Sequence, residues 1–263
     1  MKQIFFLSGL ARSGNTLLGS ILNQNKNIAV TGNSVIFDVL KSVSDFKQHQ
    51  TFLNFPDHDS FNNMISKIMP NYYEKWPQQY IIDRSQISED RLLFLKRYYK
   101  QKIKIIVLWR DLFEILASFL KWSENRNIPM FGFNASNEEK IEMLMNKDTS
   151  NIFTGLNVIK NLSRLENMHL SHFVNYNDLI HNTEKELIKI YQFLEIPYFN
   201  HDLNNIEDFN VNGKTYKDEI YGKGLHSVRK GKIKKIKYDY KKYIPNSMYE
   251  KYKHLNYTPN LYG

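Results

Sequence analysis

The chain has 263 residues, a formal net charge of +9 and 42% apolar residues, a composition that fits one sizeable folded core and excludes a disordered polyelectrolyte. It contains no cysteine, which excludes a disulfide framework and a thiolate metal centre. No apolar run approaches the ~20 residues that span a bilayer, and the apolar opening Ile4 to Leu7 is too soon interrupted by Arg12 to be a secretory leader, so a cytoplasmic protein is expected.

In chain order, the first element carries the most information. Ile4 to Leu7 is an apolar, β-rich run that stops at Ser8-Gly9. A short loop follows over Leu10 to Ser13, and Leu17, Leu18, Ile21 and Leu22 then recur at helical spacing. The pattern predicts strand, glycine-bounded loop and helix. Such a loop turns successive backbone N–H groups and the positive end of a helix dipole toward one spot, which suits an anion and above all a phosphate. The spacing Gly9-x-x-x-x-Gly14-Asn15-Thr16 approaches the nucleoside-triphosphate loop G-x-x-x-x-G-K-[ST]. The lysine of that loop is Asn15 here, and the cation sits inside the loop as Arg12. With its charge so moved, the loop is expected to hold fewer phosphates.

Helical periodicity covers residues 34–48 and 60–69. A strand over Tyr80 to Ile82 ends at Asp83-Arg84. A helix over 88–100 leads to the nearly continuous apolar run 103–109, the pattern of a central parallel strand buried on both faces. That strand ends at Arg110-Asp111. Asp111 is placed to cap a helix whose Leu112, Ile115, Leu116, Phe119 and Leu120 share one face, and Ser118 lies eight positions after Arg110. Residues 123–137, with Pro129 and Gly132, read as a loop, followed by helices near 137–147 and 151–166 and a strand from His169 to Tyr176.

Residues 198–228 carry Asn, Asp and Gly with little periodicity and are expected to form a mobile flap. Residues 229–242 hold eight Lys or Arg against one Asp, so +7 of the net charge lies in one short run that could steer an anionic substrate. No nucleic-acid-reading motif accompanies it, and nucleic acid is not an expected partner. With no internal repeat and no clear boundary, residues 1–263 are expected to form a single α/β domain. Its parallel sheet should have about four or five strands with helices on both faces, and helical and flap segments at about 123–167 and 198–228.

These motifs, in this order, resemble the sulfotransferases that use 3′-phosphoadenosine 5′-phosphosulfate (PAPS). Gly9-Leu10-Ala11-Arg12-Ser13-Gly14-Asn15-Thr16-Leu17 is similar to the family's 5′-phosphosulfate loop, close to Gly-x-Pro-Arg-Ser-Gly-Thr-Thr-Leu, with Ala11 for Pro and Asn15 for Thr. Arg110 and Ser118 resemble the strand-end Arg and the later Ser that bind the 3′-phosphate, for which a planar guanidinium fork and a small hydroxyl are suited. Phe173 to Ile180 resembles the family's Tyr-Glu-Asp-Leu strand, which implies that Tyr176 packs near the adenine. Val228-Arg229-Lys230-Gly231 resembles the segment that closes over the 3′-phosphate in cytosolic members. The resemblance runs from residue 3 to about residue 231.

The resemblance implies sulfuryl transfer from PAPS to a hydroxyl or amine of an acceptor that the sequence does not name, with release of adenosine 3′,5′-bisphosphate (PAP). Arg12 would stand at the bridging oxygen, where negative charge grows in the transition state, and Ser13, Gly14, Asn15 and Thr16 would supply backbone and hydroxyl donors. No metal is implied. The acceptor's base is open. The Glu used by the protein-tyrosine branch is Asn33 here, the His of cytosolic members falls on the stretch containing Asp83, and His226 is a third candidate. The alternatives are a P-loop nucleotide kinase, which would need a Lys at Asn15, and a catalytically degenerate relative that binds an anion or nucleic acid without turnover.

Overall fold

The computed structural model describes residues 2–124, 131, 134–220, 224–235 and 239–259. The expected loop around Pro129 and Gly132 lies largely outside these residues, as do parts of the flap and of the basic run.

The elements alternate as the sequence predicts. β1 (Gln3–Gly9) leads to α1 (Asn15–Leu22) and β2 (Ile28–Val30). Four helices follow, α2 (Ile36–Asp45), α3 (Gln50–Asn54) and α4 (His58–Tyr73) before β3 (Tyr80–Arg84), and α5 (Glu89–Tyr98) after it. β4 (Ile105–Trp109) precedes α6 (Leu112–Ser123), α7 (Asn137–Leu144), α8 (Asn151–Leu162) and α9 (Leu165–Met168). β5 (Ser171–Asn175), α10 (Tyr176–His181), α11 (Thr183–Leu194) and α12 (Asn246–Tyr252) follow among the described residues. The differences from expectation are local. β2 has only three residues, too few to show a period. The helix expected over 151–166 breaks after Leu162, and the last strand stops at Asn175 because Tyr176 already begins α10. α4 runs on through Pro70 for the turn that carries Tyr73.

All five strands are parallel in the order β2-β3-β1-β4-β5. Side chains alternate between two apolar layers, as the two-residue period of a strand requires. Ile4, Phe6, Ile81, Ile105 and Val107 face the larger layer, built with Ile65 and Met69 of α4, Leu92 and Leu95 of α5, Ile115 and Leu116 of α6 and Leu156 of α8. Phe5, Leu7, Ile82, Ile106 and Leu108 face the other, built with Leu18 and Ile21 of α1 and Leu187 and Ile190 of α11. The chain fills one side of β1 first and then crosses to β4 on the other, so the carboxyl ends of these central strands flank a crevice, the usual ligand position in an open parallel sheet.

The first half of the expected flap is anchored. His201, Ile206, Phe209 and Val211 are buried, and Ile206 exchanges two backbone hydrogen bonds with Gly231, of 3.0 and 2.9 Å. No described helix is long and apolar enough to cross a membrane.

Candidate active site

A cleft of about 1580 Å³ opens at the carboxyl ends of β1, β3, β4 and β5. Its floor is the loop between β1 and α1, and two glycines set the shape of that loop. Gly9 has φ +130°, and a methyl group there would lie 2.0 Å from the Leu108 carbonyl oxygen. Gly14 has φ +94°, with the Tyr176 ring 2.9 Å from where a methyl would stand. Both positions therefore exclude other residues by conformation and by space. Gly14 offers no side chain to cap α1, and the first turn holds no acid, so the first N–H groups of the helix are left for an anion.

Two expected donors turn inward. Ser13 is fully buried, and its hydroxyl donates to the Leu10 carbonyl at 2.6 Å. The Asn15 amide donates to the same carbonyl at 2.7 Å and to Ser13 Oγ at 3.2 Å. Both side chains brace the loop, and of the two only Asn15 also lines the cleft. Where a triphosphate loop extends a lysine, this chain uses an amide to hold its own backbone.

Arg12 adopts a left-handed conformation, φ 58°, which points its side chain across the cleft. Its Nε donates to Ser118 Oγ at 3.2 Å and its Nη1 to the Leu225 carbonyl at 2.6 Å, with the guanidinium 5.7 Å from the Phe119 ring centroid. Arg110, just past β4, is buried. It pairs through Nε with Glu114 at 2.9 Å, donates through Nη1 to the Arg12 carbonyl at 3.2 Å, and stacks on the Tyr176 ring 4.1 Å away. Asp111 caps α6 as expected, accepting from the N–H groups of Phe113 and Glu114. The structure thus brings Arg12, Arg110, Ser118, Tyr176 and Thr16 to one cleft. Glu114 was not anticipated, although its i,i+4 spacing from Arg110 was a readable signal.

The remaining candidates divide. Arg229 lines the cleft. Lys230 is directed instead to Asp208, 2.9 Å away, and Gly231 (φ 86°) serves the backbone bridge to Ile206. Asn33 lines the cleft, whereas Asp83 is not among its lining residues. Asp83 is wholly buried beneath the floor, where it accepts hydrogen bonds from the hydroxyls of Tyr73 and Ser85. Burial raises its carboxyl above the ordinary range, against the pull of hydrogen bonds from Ser34, Tyr73 and Ser85.

His226 does line the cleft, stacked on Tyr216 and paired with Asp218. Tyr216 in turn takes a hydrogen bond from Arg84, whose Nη1 lies 3.4 Å from Thr16 Oγ1. Asp218 and Tyr216 escaped the sequence reading because nothing local links a loop acid or tyrosine to a histidine eight or ten residues away.

Comparison with known proteins agrees with this arrangement. A family model described as the sulfotransferase domain matches residues 2–258. A Caenorhabditis briggsae protein named "Putative protein-tyrosine sulfotransferase" is 22% identical over 216 residues, covering 78% of this chain and 70% of that one. Mouse sulfotransferase SULT7A1, solved in complex with PAP, superposes with a TM-score of 0.57 at 14% identity over 97% of this chain and 83% of that one. The sulfotransferase domain of the Synechococcus PCC 7002 olefin synthase gives 0.54 at 17% identity, covering 86% and 84%. The folds are alike at these low identities, the family model spans nearly the whole sequence, and the chain belongs to the sulfotransferase domain family.

Proposed function

We propose that this protein transfers a sulfuryl group from PAPS to a hydroxyl or amine acceptor, with release of PAP, and that it does so in the cytoplasm. The observation that carries the reading is the pairing of two cationic stations in one cleft. Arg12 stands on the β1–α1 loop with its Nε on Ser118 Oγ, Arg110 stands against the Tyr176 ring past the end of β4, and Arg110 is tied to the Arg12 carbonyl at 3.2 Å. A nucleotide with phosphate groups at both ends of its ribose would answer both stations. The inward amide of Asn15 argues against a triphosphate, which needs a cation at that point.

The chemistry follows from where the charge is fixed. In an in-line displacement at sulfur, negative charge grows on the oxygen that leaves with the 5′-phosphate. Arg12, the N–H groups at the start of α1 and the Thr16 hydroxyl would meet that charge without reorganising, and so would stabilise the transition state more than the ground state. Arg110 and Ser118 would hold the 3′-phosphate, and Tyr176 would offer a ring face beside them. The cleft exceeds what one drug-sized ligand fills, leaving room for an acceptor toward Asn33, Gln86 and Asn151.

Calorimetry with PAP, adenosine 5′-phosphate and ATP tests the donor side. PAP should bind more tightly than either of the others, and a preference for ATP would overturn the reading. Mass spectrometry of host-cell extract incubated with the protein and isotopically labelled PAPS would then identify the acceptor.

A further inference from the structure

We infer that Asp218 and His226 work as a pair, Asp218 positioning the imidazole so that His226 Nε2 takes the acceptor's proton. The inference rests on the sulfuryl-transfer reading above and supplies the base that the reading lacks. Asp218 holds His226 at two points, accepting from its backbone N–H at 2.8 Å and contacting its Nδ1 at 2.7 Å. A carboxylate can only accept, so the hydrogen resides on Nδ1 and the lone pair on Nε2.

The plane of the ring is fixed as well. Tyr216 stacks on the imidazole with centroids 4.1 Å apart and an interplanar angle of 6°. The Tyr216 hydroxyl is held by Arg84, which also approaches Thr16, so the imidazole is oriented by reference to the anion loop. On its other flank, the carbonyl of the preceding residue, Leu225, receives Arg12. The base is therefore one residue away from the group that binds the cation at the reacting centre.

The groups that face His226 are Asp218, Tyr216, Arg84 and Arg12. Burial holds its pKa below the ordinary 6.5; Arg84 and Arg12 push the same way and Asp218 opposes them. The ring is accordingly neutral near pH 7 and able to accept. Two other acids fit less well. Asp83 does not line the cleft, and Asp38, which does, is paired with Arg91 at 2.9 Å.

In the step itself, the acceptor oxygen forms a bond to sulfur as the bond from sulfur to the bridging oxygen breaks. The electron pair of the broken bond stays on the bridging oxygen, which leaves with PAP beside Arg12. The acceptor's proton passes to His226 Nε2 and then to water.

The test measures PAP release from PAPS as a function of pH with 4-nitrophenol, tyrosine methyl ester, glucosamine and water as acceptors, alongside PAP binding by calorimetry. The wild type should lose kcat/KM as the pH falls through a value below 6.5. His226→Gln should lower kcat/KM by about 10²–10⁴ and abolish that acid limb, with the PAP Kd changed less than about twofold. Asp218→Asn should keep PAP binding, lose part of the rate, and move the limb to lower pH, because Asp218 supports the protonated ring. A limb that survives in His226→Gln, or a His226→Gln rate loss matched by lost PAP binding, overturns the pair while leaving the transferase reading in place. A wild type that neither binds PAP nor releases it from PAPS overturns the transferase reading, and the pair with it.

Discussion

Arg12 Nη1 donates a 2.6 Å hydrogen bond to the carbonyl oxygen of Leu225, so the cation of the anion loop also secures the segment that carries His226. Arg12→Ala should cut kcat/KM by about 10²–10³, the scale of losing one transition-state donor. PAP binding should fall less, because the backbone of the loop and the Arg110 station remain. Arg12→Lys should recover part of the rate, since one ammonium can replace the charge but not both directions of the fork. Arg12 also depresses the His226 pKa, so the acid limb of Arg12→Ala should move up toward 6.5. Normal kcat with only a raised KM would make Arg12 a plain binding residue.

Ser118→Ala should weaken PAP binding more than binding of adenosine 5′-phosphate, which lacks the 3′ group and would feel only the lost Arg12–Ser118 contact. The loss expected for one hydrogen bond to a charged group is roughly 1.5–3 kcal/mol. Arg110→Ala should show the same selectivity but carry a second cost, because it leaves the Glu114 carboxylate buried without its ion pair. Breaking such a pair costs about 3–5 kcal/mol of stability, so its binding should be read only at a temperature where circular dichroism shows it folded. Equal losses for both ligands would remove the 3′-phosphate assignment.

Gly14→Ala should destabilise the protein and weaken PAP binding, since the added methyl meets Tyr176 at 2.9 Å and the backbone sits at φ +94°. Combining it with Tyr176→Ala should relieve the collision but not the backbone strain. The double-mutant cycle in urea should therefore show positive coupling that falls short of full rescue. Strict additivity would mean that the ring and the glycine do not compete for that space.

Stability should fall on mild acidification because of His201. Burial lowers its pKa to about 4, against an ordinary 6.5, while its Nε2 lies 2.9 Å from the Tyr191 hydroxyl. Between these values the unfolded chain takes up a proton that the folded chain refuses, so the contribution is intact above 6.5 and declines as the pH drops. The loss by about pH 5.5 is about 1.4 kcal/mol for this one group. Urea midpoints at pH 7.5 and 5.5 should differ less in His201→Gln than in the wild type.

Asp83→Asn should keep the acid limb of the pH–rate profile. Its carboxylate lies under the floor, in contact with Tyr73 and Ser85, so the variant should act on stability rather than on proton transfer. Disappearance of the limb in Asp83→Asn would return the base to β3.

The site was legible where chemistry is written in local spacing. Gly9, Arg12, Gly14 and Thr16 fall within one loop, and Arg110 to Ser118 within one strand–helix junction, so backbone geometry alone delivers them together. Asp83 shows what spacing leaves out. It stands at a strand end, but Ile81 faces the larger apolar layer, and a residue two positions on must face the same way. That parity sends its carboxylate toward α4 and Tyr73. Ser13 and Asn15 fit the loop pattern, yet the loop uses their side chains to hold itself closed. Asp218, Tyr216 and His226 come together only through the path of an irregular segment, which no periodicity encodes. β2 was missed for a simpler reason, because three residues cannot display alternation.

The Arg110–Glu114 pair has a kinetic consequence. A station for a terminal phosphate that carried an uncompensated guanidinium would grip a bisphosphate product as firmly as it gripped the donor, and each cycle would stall on departure. Glu114, 2.9 Å from Arg110 Nε, gives that guanidinium an internal counter-ion. With the carboxylate kept on Nε, a 3′-phosphate would meet a guanidinium already partly neutralised, in donor and product alike. In the proposed reaction, that neutralisation would weaken the hold on PAP and so ease its release.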